Sequence, residues 1–120
     1  MIYEGSLMKR YSQLLELIPD LEKIKEDKSL PIQDVRKKFI EAMNDEMVFK
    51  YMGILSQYID INEEIISDFD RETILAYLTS TIRNDRFFDG ALSYSIQSGL
   101  ILTALERLSI LVDKDISNKR

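Results

Sequence analysis

Histidine and cysteine are both absent from the 120 residues. Without histidine the chain lacks the usual general base near neutral pH, the partner that activates a Ser or Cys nucleophile, and the commonest neutral metal ligand. Without cysteine there are no disulfides, no thiolate nucleophiles and no sulfur-ligated zinc, which fits a reducing cytoplasm. Most familiar hydrolase and metalloenzyme designs cannot be built from this chain alone. The expectation is no metal, no cofactor and a balance tilted against an enzyme.

Long apolar runs are missing as well. Nothing approaches the ~20 residues that span a bilayer, and Met1-Ile2-Tyr3-Glu4-Gly5 has neither a basic nor a hydrophobic leader region. No membrane partner is expected, and the cytoplasm is the expected location. Met8-Lys9-Arg10-Tyr11 also reads as a start, which would make residues 1–7 an extension. Basic charge is short: 16 Lys and Arg stand against 21 Asp and Glu, a net charge of -5. Such a chain repels nucleic acid as a whole unless a local basic face overcomes it. The compact basic run is Arg36-Lys37-Lys38. Successive residues on a helix point in different directions, and no aromatic platform interleaves these three, so nucleic acid is not an expected partner.

With only four Gly and two Pro, turn formers are scarce, while hydrophobic residues reach 45% and charged residues 31%. That is the composition of a folded, helix-rich protein. The length suits one domain over residues 1–120, burying roughly two-thirds of the unfolded surface around one core, with residues 1–6 and 114–120 frayed.

Apolar spacing of three and four marks the helices. Leu7, Met8, Tyr11, Leu14, Leu15 and Ile18 form a first stripe, capped by Ser6 and stopped by Pro19. The charged stretch from Asp20 to Ser29 reads as a connection. Ser29-Leu30-Pro31 opens a second helix that buries Ile32, Val35, Phe39 and Met43. From Asp45 a third helix carries Met47, Val48, Tyr51, Met52, Leu55 and Tyr58 inward, with Gly53 allowing close approach of another helix. The acidic segment from Asp60 to Asp70 is a short helix or a loop, and its Glu63, Glu64, Asp68 and Asp70, with Glu72 beyond, form a solvated face rather than a cation site. Asp70 caps a fourth helix with Ile74, Leu75, Leu78 and Ile82 facing in, and Asp89 caps a fifth through Ala91, Leu92 and Ile96. Gly99 ends the fifth in a left-handed conformation. The last helix has Ile101, Ala104, Leu105, Leu108, Leu111 and Val112 on one side. Leu100, Leu102 and Ile110 widen its apolar surface, so it is either central or covered by a second chain. The expected fold is all-α, a compact bundle of about five or six short amphipathic helices.

Chemistry concentrates in Arg83-Asn84-Asp85-Arg86-Phe87-Phe88-Asp89-Gly90. One reading is structural: Phe87 or Phe88 plugs the core, Asp89 caps the next helix and Arg86 pairs with a carboxylate or a helix C-terminus. The other makes Arg83 and Arg86 a clamp for an anion, because guanidinium forks bind carboxylates and phosphates in two-point fashion. Ser93, Tyr94 and Ser95 follow closely, but a Ser nucleophile here lacks a marked base. Asp85 and Asp89 have the spacing of a capping arrangement as much as of an acid and base pair.

The stretch from Ile82 through Ser98-Gly99 to Leu105-Glu106-Arg107-Leu108 resembles a family of uncharacterised bacterial domains with an acid-Arg-Phe-x-Asp-Gly signature followed by a terminal Leu-x-Arg-Leu helix. Tyr11 to Pro19 and Pro31-Ile32-Gln33 resemble the opening pieces of the same family. The longer Trp- and Gly-containing insert that precedes the Pro-Ile-Gln of that family is missing here. The resemblance implies a fold-level neighbour and no activity. The expected function is a non-catalytic helical binding or protein-interaction module, meeting a protein partner or a second copy of itself. The alternatives are a small enzyme with an anion site at Arg83 and Arg86, and a phage or mobile-element accessory protein that inhibits a host enzyme.

Overall fold

In the computed structural model, residues 9–118 are described, with side chains as far as Asp113. The helices run α1 Ser12–Leu15, α2 Ile18–Glu26, α3 Gln33–Met43, α4 Tyr51–Leu55, α5 Glu63–Ile66, α6 Arg71–Asn84, α7 Ala91–Gln97 and α8 Leu100–Asn118. Among the described residues there is no strand, and the all-α fold stands. α1, α4 and α5 are short turns of helix wedged between the longer elements.

Pro19 does not end the first helix. It sits in the first turn of α2, where the missing N–H has no intrahelical partner to lose, so the chain breaks at Glu16 and Leu17 and restarts as helix. The stretch expected to be a connection is therefore helical as far as Glu26. Leu21 and Ile24 continue the buried stripe of Tyr11, Leu14 and Leu17 at spacings of three and four. The expected cap at Ser6 lies outside the described residues.

The third helix shrinks to α4. Residues 44–50 are turns and extended chain instead, because the Val48 N–H donates to the Thr79 hydroxyl of α6 at 2.9 Å rather than to a helical carbonyl. Met52, expected inside, is exposed, and a Cβ on Gly53 would meet nothing within 4 Å, so no close helix approach occurs there. α5 is a single turn capped by the Asn62 side chain, which accepts the Ile65 N–H at 3.0 Å. It buries Ile66, and Phe69 follows it into the core beside Tyr58, ring centroids 5.0 Å apart.

Asp70 caps α6 as expected, accepting the Thr73 N–H at 2.8 Å. α6 is the innermost helix: every residue from Thr73 through Thr81 is buried. Its hydroxyls survive burial by bonding back to the helix, Thr79 to the Leu75 carbonyl at 2.8 Å, Ser80 to Tyr77 at 2.6 Å and Thr81 to Leu78 at 2.7 Å. α8 packs on α1, α2, α5, α6 and α7 and buries Ile101, Leu102, Ala104, Leu105, Leu108 and Val112. It keeps an exposed edge at Glu106, Ile110 and Asp113, so the fully enclosed position belongs to α6 and not to the last helix. With no Gly or Pro between Val112 and Asn118, α8 runs on to Asn118. Gly99 is left-handed at φ 87, and α7 and α8 meet there at 65°. No single helix among the described residues is long and apolar enough to cross a membrane.

Candidate functional site

The turn after α6 divides its residues between the inside and the outside of the protein. Its backbone is wound tightly on the helix end, with the Phe87 and Phe88 N–H groups both donating to the Asn84 carbonyl at 3.0 and 2.9 Å. The Asp85 carboxylate turns inward. One oxygen accepts the Leu92 N–H at 3.1 Å, inside the first turn of α7, and the other meets the Arg36 guanidinium of α3 at 2.6 Å. These contacts, the Leu92 N–H first, hold the carboxyl below the usual carboxylate range.

Asp89, expected to cap α7, does not. The N-cap residue is Gly90 at φ 85, a backbone that Gly alone adopts without strain, and no side chain at that position caps the helix. Asp85 supplies a side-chain acceptor to that first turn from seven residues before Leu92. The expectation that Phe87 or Phe88 plugs the core also fails: they are 79% and 69% exposed. The core is already filled from α6, α7 and α8, so the turn rides above it. Arg86 pairs with no carboxylate among the described residues, and neither does Arg83. The guanidinium that serves the turn is Arg36, from the basic run. Lys38 of the same run pairs with Asp34 at 3.1 Å.

Arg83, Arg86 and Phe87 form one wall of an open groove of about 500 Å³, and Met47, Val48, Phe49 and Tyr51 form the other. Two elements set the walls. Thr79 and Arg83 are four apart and share a face of α6, so the Thr79 hydroxyl that receives the Val48 N–H fastens the opposite wall one helical turn from Arg83. Farther back, the Glu46 carboxylate is gripped by the Arg10 guanidinium in two-point fashion at 2.8 and 3.1 Å. Phe49 is 96% exposed at the groove edge. The sequence did not single it out: like Ile54, it is an apolar residue off the stripe of the expected third helix.

Elsewhere the candidate groups have structural work. Of the acidic run, Glu63 pairs with Lys25 at 3.5 Å and Asp70 caps α6. Among the described residues no group of three or more acids is placed to hold a metal ion. Burial pushes the Tyr77 phenol up to about 12, opposed by the neighbouring Ser95 hydroxyl. Residues 32–114 match the model of a family of unknown function, DUF6508, a span that includes the whole turn from Asp85 to Gly90 and leaves out the opening from Tyr11 to Pro19. Comparison with curated proteins and with solved structures finds no match.

Proposed function

The chain belongs to the DUF6508 family of unknown function, and we propose that it is a non-catalytic binding module whose site is the groove between Arg83, Arg86 and Phe87 on one side and Phe49 on the other. The observation that supports this is the pairing of unlike features in one place: two guanidiniums without acid partners among the described residues, beside two phenylalanines left in water. The rings gain by leaving water, and the guanidiniums are free to take an anion. Covering half of each ring, ~100 Å² apiece, contributes ~2.5 kcal/mol per ring. An anion held by guanidinium forks in this open groove adds about 0.5–1 kcal/mol per contact after solvent screening. The ligand is therefore an anionic group attached to an apolar body.

The non-catalytic part of the proposal rests on the neighbours. The chain offers no His or Cys, and the acid nearest in sequence to both arginines, Asp85, is committed to Arg36 and Leu92. Nuclear magnetic resonance titration with 3-phenylpropionate, acetate and phosphate tests the site. The expected result is perturbation by 3-phenylpropionate clustered on Arg83, Arg86, Phe87 and Phe49, and weaker perturbation by acetate. Shifts scattered over the surface, or none at millimolar ligand, would overturn it.

A further inference from the structure

Resting on that site, we infer that its natural ligand is an extended protein segment in which an Asp or Glu side chain lies next to an aromatic or aliphatic one. Three features of the groove select this class. The first is the sign and the strength of its charge. Arg83 lies in the last turn of α6 and Arg86 just beyond it, so the groove sits at the C-terminal end of a 14-residue helix. The partial negative charge of that end opposes a dianion, and phosphate sites use the opposite end, where N–H groups point outward. A singly charged carboxylate meets two guanidinium forks with the least opposition, and the planar geometries match.

The second feature is the shape. The groove is open to solvent and bordered by rings that are 96% and 79% exposed at Phe49 and Phe87. Rings flanking a channel suit the alternating side chains of an extended segment, and Phe and Arg are the residue types enriched where protein partners dock. The third is the setting. Lys50 is exposed between Phe49 and Tyr51, and adds positive charge beside one wall. The chain as a whole carries -5. A polyanion needs many phosphate contacts and would meet a chain of net negative charge beyond this groove, whereas a short acidic segment needs the basic groove alone.

The test is selection of a displayed random peptide library on the wild-type protein, with depletion on the Arg83→Ala/Arg86→Ala double variant. Enriched peptides are expected to pair Asp or Glu with Phe, Tyr, Leu or Ile. Synthesised and labelled, they should lose about tenfold in affinity for the double variant, as expected from removing two solvent-screened ion-pair contacts. A thermal melt checks that the variant is folded. If it is not, Arg83→Lys/Arg86→Lys replaces it, keeping the charge and removing the forks. Enriched peptides without an acid, or with equal affinity for the variant, overturn the inference, as does an empty selection. Tighter Arg-dependent binding of phosphotyrosine peptides or of a labelled oligonucleotide also overturns it. A groove that still binds 3-phenylpropionate after such a result leaves the site standing and removes only the peptide.

Discussion

Replacing Asp85 by Ala separates the structural role of the turn from any role in binding. Two contacts are lost. The Asp85 oxygen that accepts the Leu92 N–H supplies the first turn of α7, whose own N-cap residue, Gly90, has no side chain. Loss of such an acceptor costs about 1 kcal/mol. The second contact, to Arg36 at 2.6 Å, joins side chains that are 38% and 16% exposed. Water replaces much of it, so about 0.5 kcal/mol is appropriate. The sum, about 1.5 kcal/mol, corresponds to about 6 °C in melting temperature for a chain of this length. Asp89→Ala should shift melting by about 1 °C or less, because no Asp89 side-chain bond caps α7 and surface changes are usually small. The loss is also pH-dependent in a fixed direction. Folding lowers the Asp85 pKa, so its contribution is complete above the unfolded carboxylate value near about 4 and disappears as pH falls through the folded value. Wild type and Asp85→Ala should differ at pH 7 by that margin and converge as the pH falls through the folded value. Calorimetric melts of both variants across pH provide the measurement. An Asp85→Ala melt within about 1 °C of wild type, or an Asp89→Ala loss of equal size, would refute the assignment of the cap.

Four further outcomes follow from the same geometry. Thr79→Val leaves the Val48 N–H without its acceptor in a part-buried position, and chemical denaturation should show a loss of about 1–2 kcal/mol together with faster amide exchange at Val48. Gly53→Ala, in a helix with open space around it, should raise stability by about 0.5–1 kcal/mol; Gly99→Ala should lower it by at least about 1 kcal/mol, since φ is 87 and the new Cβ would lie 3.0 Å from Lys25 Cδ. Arg86→Ala should leave the melting temperature within about 2 °C of wild type, and a larger fall in a calorimetric scan would mark Arg86 as a structural residue instead.

Much of this protein is legible without coordinates. Spacings of three and four located α3, α6, α7 and α8 but not α2, because an amphipathic helix has to bury one face wherever it lies in the chain, and the charged stretch after Pro19 hides the stripe that α2 shares with α1. The Asp70 cap and the left-handed Gly99 were equally readable, since both depend on residues a few positions apart. Contacts between distant segments were not readable. Asp85 and Asp89 are both plausible caps in sequence, and Arg36 on α3, 49 residues away, lies with the chosen one. The centrality of α6 is hidden by its Thr and Ser residues, whose hydroxyls are satisfied by its own carbonyls and so can be enclosed at little cost. Arg83 and Arg86 could be named as a candidate pair from the sequence. Their wall of Met47, Val48 and Phe49 could not, because one long-range bond from Val48 to Thr79 decides whether that segment is helix or groove. The sequence by itself determined which faces must be buried; the tertiary structure decided which charges were left without partners, because pairing depends on where helices meet and not on where residues fall in the chain.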